Sequence, residues 1–464
     1  MKLCKKWFGC VVLFTLLAPP LYGATYFVST NGMDASGRDG LSRATAWATL
    51  PYAANRVPAG TTGRRQIIRL SGGVFQQTSS ALLPGGVNVQ GAGSGSSFIN
   101  ANWTYTEAEL SIATAQGRLI QIRRAGNNQI SDISFLGNHR RAGGALWVEN
   151  STNLEFLNLT FTNFGSATLV LATNCAFVTV SNATFSECGY ESTNYSLGMI
   201  QLVQVRDSLF THLTMVSTLA GTSYGFKASG LNGHGSDNVW VARTVFDHLN
   251  MNLKPIQAYQ NSGFPNFSLE FFMTAQSNNE LRYSHLANTV SQSSPDTTVE
   301  GTTATMRIHD NVFDLPETAY AIECKTHRLE IDHNTFRGGY GVMNDWTCGT
   351  ADMDRLDIHD NLAEEAGEWF FSFTGAPTNL RLRHNTVYFA NKPSHASHVF
   401  LNNCNMGKTI PRNFDVRDNL AVAPASYPGE FYKVQNGNTL TPINVTFANN
   451  TCSNLTFTPP ARSK

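Results

Sequence analysis

The chain has 464 residues with 33 acidic and 33 basic side chains, and only 14% of it is charged, well under the usual share of about a quarter. That balance gives no global field for nucleic acid or for an anionic membrane surface, though local cations remain available to an anionic substrate. Polarity comes instead from Asn, Ser, Thr and 38 Gly.

The N-terminus reads as an address. Lys2, Lys5 and Lys6 precede an apolar run at 10–18, which is followed by Pro19-Pro20 and the small pair Gly23-Ala24. This is the pattern of a secretory signal peptide over 1–23, leaving one mature domain over 24–464. No later stretch reaches the ~20 apolar residues of a membrane span. A secreted or periplasmic monomer is expected, with no membrane and no nucleic-acid partner. Of eight cysteines, Cys4 and Cys10 leave with the signal. Among the rest, Cys175 with Cys188 and Cys324 with Cys348 are the pairs an exported chain would form, with buried thiols as the alternative. No zinc-type spacing occurs.

After a strand and a Gly/Asp-rich loop, "ATLPYAANRV" at 48–57 reads as a short helix. A nine-residue phrase then recurs. Its early versions are "NLEFLNLTF" (153–161), "FVTVSNATF" (177–185), "LVQVRDSLF" (202–210), "NVWVARTVF" (238–246) and a degraded "ELRYSHLAN" (280–288). Later versions are "TMRIHDNVF" (305–313), "RLEIDHNTF" (328–336), "RLDIHDNLA" (355–363), "NLRLRHNTV" (379–387), "NFDVRDNLA" (413–421) and "NVTFANNTC" (444–452). The second and fourth places are apolar, and in the later set the seventh is Asn. Alternation over so few residues means short strands. A period of mostly 22–27 residues is too short for a globular unit and means stacked coils.

Each coil is therefore read as three short strands joined by bends, with the apolar places facing inward. Asn311, Asn334, Asn361, Asn385, Asn419 and Asn450 would stack at one bend as an amide ladder. The fold expected is all-β, a single-stranded right-handed parallel β-helix (a solenoid) with an N-terminal capping helix. The regularly spaced Leu of a leucine-rich repeat is absent, and a propeller needs repeats of ~40 residues or more.

The stretch "YFVSTNGMDASGRDGLSRATAWATLPYAANRV" (26–57) resembles the opening of secreted polysaccharide-active β-helix proteins. The wider resemblance, over nearly the whole mature chain, is to the pectate-lyase-like superfamily. It implies carbohydrate chemistry and matches no family-specific catalytic signature.

The strands ahead of the recurring phrases carry an apolar residue followed by a polar one: Phe226-Lys227, Leu269-Glu270, Val299-Glu300, Ile322-Glu323 and Met343-Asn344. In register, Lys227, Glu270, Glu300, Glu323 and Asn344 would form one outward column, with coils ~4.8 Å apart. Stacked carboxylates repel, and in a chain poor in charge their concentration suggests a site. With Lys227 keeping Glu270 ionised and Glu300 raised between two carboxylates, the column suits a glycoside hydrolase. Adjacent coils match the ~5–5.5 Å of retaining enzymes, and alternate coils, Glu270 with Glu323, approach the ~6.5–9.5 Å of inverting ones. Hydrolysis needs no cofactor. The same column could instead hold calcium on Glu270, Glu300 and Glu323 while Lys227, Lys254 or Lys325 takes the C5 proton of a uronate, which is a polysaccharide lyase. A third reading is a non-catalytic carbohydrate-binding or adhesin-type surface.

Asn344, Asp345, Trp346, His234, Lys325, Arg282 and Tyr259 are the candidate substrate contacts, with His285 and Phe264 near them. They fall in a loop-rich groove over about 187–350. The "IHD" and "IDH" triplets at 308–310, 331–333 and 358–360 look like metal ligands but fall on the second strand of each coil, and so read as surface ladders.

Overall fold

The computed structural model describes residues 23–103, 115, 117–138, 144–189, 198–216, 229–234, 236–247, 267–272, 279–287, 289–293, 306–317, 320–325, 328–345, 354–395, 397–404, 410–435 and 442–458. Residues 1–22 of the expected signal segment lie outside them.

Strands dominate, and every inter-strand ladder is parallel. Among the described residues they form two sheets, one of 25 strands and one of 14. The long sheet carries two strands per coil, and the second sheet carries one. This is the expected right-handed parallel β-helix. The helix Leu50–Ala54 starts where predicted. Thr49 caps it by accepting the N–H of Tyr52, Pro51 occupies the first turn, and Leu50, Ala53 and Ala54 are buried. Asp34 fixes its entry by accepting the N–H of Ala48 at 2.8 Å and the hydroxyl of Thr49 at 2.6 Å. Such a lid keeps water from the open end of the stacked core. Among the described residues no helix is long and apolar enough to cross a membrane.

Inside, like stacks on like. Phe135, Phe161 and Phe185 stack at 5.2 and 4.7 Å on successive coils. Phe370, Phe400 and Phe431 do the same at 5.1 and 4.5 Å. Each buried ring contributes roughly 1.5–3 kcal/mol. At the bend between the two long-sheet strands, the amide ladder forms as expected. Asn311 donates from its backbone N–H and from Nδ2 to Asn334 Oδ1, at 3.1 and 3.0 Å. Asn334 bonds Asn361 in the same way, and the ladder continues through Asn385 and Asn419 to Asn450. In the early coils the same inward place is filled by buried Ile133, Leu159, Ala183 and Leu213.

Two of the repeated phrases sit out of register in the structure. Phe177–Phe185 pairs with Asp207–Met215, so "LVQVRDSLF" joins the end of a second-sheet strand, Gly198–Val203, to the start of the next element. Trp240 pairs with Glu280, so the degraded repeat begins two residues earlier than "ELRYSHLAN". The second slip preserves the alternation, because a two-residue shift leaves every side chain on the same face. The first is five residues, and it makes Ser208, Phe210, Leu213 and Met215 the inward places of that coil.

The expected Cys175–Cys188 pair does not form. Both are free, buried thiols, and burial pushes each up to about 11. They occupy separate inward places, Cys175 sharing the carbonyls of Val148 and Ala172 and Cys188 that of Phe161. The side chain of Cys324, and Cys348 altogether, lie outside the described residues.

Candidate functional site

The second sheet carries one unbroken register line, Trp147–Val170–Gln201–Asn232–Glu270–Ser291–Glu323–Asn344–Ser372–Asn402–Lys433. Glu270, Glu323 and Asn344 therefore share a column, as expected. Its other members differ from expectation. Asn232 stands in the coil given to Lys227, because the strand there is Ser229–His234. Ser291 stands in the coil given to Glu300, because that strand is Thr289–Ser293. Lys227 and Glu300 themselves fall outside the described residues. Glu270 and Glu323 thus belong to alternate coils, with a serine position between.

This line changes character along the sheet. Trp147 and Val170 form a small apolar cluster of their own, apart from the main core, with Ala115 against it. The outward face is therefore covered at that end. From Gln201 onward the line is polar, and several of its members are shielded: Gln201 is 0% exposed, Glu323 4% and Asn344 3%. Ser372 and Asn402 complete it, with Asn402 Nδ2 donating to Ser372 Oγ at 3.3 Å. Buried polar residues in a row on a sheet face are costly unless something polar is to be met there.

Three residues before Glu323, an aromatic cluster lines the edge of the same sheet. Tyr320 stacks on Trp369 at 5.8 Å, and Tyr340 stands edge-on to both, at 5.9 and 5.0 Å. Burial raises the Tyr320 phenol, and the charges of Glu323 and Glu368 raise it further. Tyr340 is raised by burial and by its hydrogen bond to Glu368. A carboxylate beside aromatic faces is a surface that suits a sugar ring, apolar on its faces and polar at its rim.

The remaining candidates divide. His234 and Lys325 share a second register line through Phe272 and Ser293, two places along each strand from the first. Asp345 pairs with Cys324, one place out of step with the column. Arg282 does not belong to this site. It lies on the long sheet, in register with Ala242 and His309, and bonds Glu280 at 3.0 Å. His285 is also there, 2.6 Å from Asp314. Tyr259, Phe264, Lys254 and Trp346 lie outside the described residues.

The long sheet holds the main concentration of charge, which the sequence pattern assigns to the column. One of its outward lines reads Glu280–Arg307–Glu330–Asp357–Arg381–Asp415, and the next reads Arg282–His309–Asp332–His359–Arg383–Arg417. Opposite charges on the two lines pair across and along the coils. Arg307 grips Asp332 through Nε at 2.9 Å and Nη2 at 2.7 Å, and His309 bridges Glu280 and Asp310. Glu330, Asp332 and His359 come close enough to share a cation, but Asp332 already has Arg307 on both oxygens and His333 on Oδ2. The ladder reading of the "IHD" triplets stands.

No family model matches the chain, and no curated protein matches its sequence. Among solved structures it is similar to the catalytic unit of a GH87 α-1,3-glucanase from Streptomyces thermodiastaticus, at 12% identity over 89% of this chain and 68% of that one, TM-score 0.47. It is also similar to the surface adhesin PfbA of Streptococcus pneumoniae, at 10% identity over 88% and 87%, TM-score 0.44. A polygalacturonase from Erwinia carotovora gives 10% identity over 94% and 97%, TM-score 0.37.

Proposed function

We propose that the protein cleaves glycosidic bonds of an extended polysaccharide lying along the outward column of the second sheet, by hydrolysis with Glu270 and Glu323 as the carboxylate pair. The observation that carries this is the register Glu270–Ser291–Glu323. Two coil steps set the two backbones about 9.6 Å apart, next to the upper limit of the ~6.5–9.5 Å that lets a water sit between base and sugar. The reading is thus an inverting one, with one carboxyl protonating the leaving oxygen and the other activating water. Asn344, Ser372 and Asn402 extend the polar line for hydroxyl contacts, and the Tyr320–Tyr340–Trp369 cluster supplies stacking faces.

Elimination is the second reading, and Lys325 supports it, two residues beyond Glu323 on the same strand. Ser291 weighs against it. With a serine in the middle coil the column offers two carboxylates, not three, to a calcium ion, which prefers six to eight oxygens. The test is incubation with neutral and acidic polysaccharides, with and without a chelator. Hydrolysis yields reducing ends of inverted anomeric configuration and no new ultraviolet absorbance. An unsaturated, ultraviolet-absorbing product lost on chelation would replace hydrolysis with elimination.

A further inference from the structure

On the long sheet, many of the described coils enter their first strand through one residue in the left-handed region. That place is held by Asn127, Asn153, Asp207, Asn238, Asn379, Asn413 and Asn444, and by Arg328 and Arg355, at φ between 51° and 61°. Asn and Asp tolerate this backbone well, and here their side chains join into an outer ladder. Asn153 donates to Asn127 at 3.2 Å, Asn238 to Asp207 at 2.7 Å, and Asn444 to Asn413 at 2.7 Å. Phe177 occupies the same place at φ 54°. A bulky ring gains nothing from the ladder and strains the turn. Burial does not compensate, because Phe177 is 55% exposed.

Two coils further on, Trp240 is 36% exposed, and Leu209 lies between them in register with Trp240. The three line a groove of about 450 Å³. Its rim includes Asn153, Thr179 and Asp207, and one side is closed by the Arg65–Glu155 ion pair at 3.2 Å.

We propose that this groove is a second, non-catalytic binding site, for a neutral oligosaccharide chain. The aromatic rings suit sugar faces, and the amide, hydroxyl and carboxylate rim suits hydroxyl groups. Charge gives a uronate no partner: the rim's arginine is engaged by Glu155, and Asp207 is paired with Arg206 at 3.6 Å, so the lining offers no free cation to a carboxylate. Size selects against a protein partner, since the groove falls within the ~300–1,000 Å³ of ligand sites and is a small fraction of a stable interface. The strands bearing Phe177 and Trp240 are two coil steps apart, about 9.6 Å, which is comparable with a disaccharide unit. The site stands apart from the cleavage column and does not depend on it.

The test is affinity electrophoresis in gels containing hydroxyethyl cellulose, laminarin, arabinoxylan, galactomannan or, as the charged control, polygalacturonate. At least one neutral polymer is expected to retard the protein, and Phe177→Asn and Trp240→Ala each to weaken that retardation about tenfold. Phe177→Asn is expected to keep or raise the melting temperature, whereas a merely structural ring would lower it. Glu323→Gln should lower turnover by about 10²–10⁴-fold in the cleavage reading yet leave retardation intact, so the two proposals fail separately. Retardation by polygalacturonate alone, retardation unchanged in both variants, or no retardation in any neutral gel would overturn the site. So would concentration-dependent dimers in sedimentation that Phe177→Asn abolishes, because the groove would then be a self-association face.

Discussion

Asn334 Oδ1 accepts two hydrogen bonds from Asn311, one from its backbone N–H and one from its side-chain amide, across neighbouring coils. Asn334 in turn donates from Nδ2 to the carbonyls of Ile308 and Asp332 and to Asn361 Oδ1. One side chain thus satisfies the bend of the coil before it and its own.

Replacing Asn334 by Leu is expected to lower stability by roughly 1–3 kcal/mol, since it orphans buried donors on Asn311. The apolar residue at this place in the early coils does not make the change benign. Leu159 has apolar neighbours, Ile133 and Ala183, on both sides in the column, whereas a leucine between two amides would interrupt a ladder. Chemical denaturation of the variant reads the loss directly, and an unchanged midpoint would contradict the ladder's energetic role.

Asp332 is fully buried and carries Arg307 and His333. Burial opposes its charged form, but the Arg307 and His333 hydrogen bonds outweigh it and hold the carboxyl below its usual range. A carboxyl lowered in the folded state stabilises at pH above its unfolded value of about 3.9, and that contribution is lost as the pH falls through the folded value. Asp332→Asn is therefore expected to be destabilised by roughly 1–3 kcal/mol near neutral pH, with the gap to the parent closing below about pH 4. A gap independent of pH would mean that shape, not charge, is what Asp332 supplies.

These outcomes turn on features of unequal visibility in the sequence. The inner Asn column is legible because each member ends an apolar alternation at a fixed place. The outer ladder is equally present, as Asn153, Asn238, Asn379, Asn413 and Asn444 at the first place of the phrase, but no apolar contrast marks a residue on the surface. The second-sheet strands are the hardest to place. Their outward face is shielded, with Trp147 and Val170 outward and apolar, so alternation gives no reliable phase there. Ser291 instead of Glu300 follows from that. "TVSQS" has one apolar residue and "TTVEG" looks as good a strand, and only pairing with both neighbouring coils decides between them.

His398 is buried, shares a hydrogen bond through Nδ1 with the Gly367 carbonyl at 3.0 Å, and stacks on Phe389 at 4.9 Å. Burial lowers its pKa from the ordinary value. Above about pH 6.5 both folded and unfolded forms are neutral. As the pH falls below that, the unfolded chain takes the proton first, so stability declines until the folded value is passed. His359 is shifted upward and acts in the opposite sense: burial opposes its charged form, but Asp360, Asp357 and Asp332 outweigh it. The comparison that isolates His398 is therefore parent against His398→Phe, which keeps the stack. The variant's melting temperature should fall less between pH 7 and pH 5 than the parent's, and parallel curves would show that His398 does not titrate on unfolding.

The final prediction concerns the carboxylate column. If Glu270 and Glu323 act across the Ser291 coil, Glu270→Gln and Glu323→Gln should each lower turnover by about 10²–10⁴-fold while the protein stays folded. Glu300→Gln should retain most activity, because Ser291 is the residue that pairs with both Glu270 and Glu323. Ser291→Glu is the sharper variant. It would put a third carboxylate between the pair, in the space an inverting mechanism reserves for water, and the mutual repulsion of three stacked carboxylates would disturb the protonation the pair needs. Turnover should fall and its pH optimum move, with the column still folded. Should Glu300→Gln abolish activity and Ser291→Glu leave it untouched, the working pair lies off this strand line, and the alternate-coil geometry is not the one that cleaves.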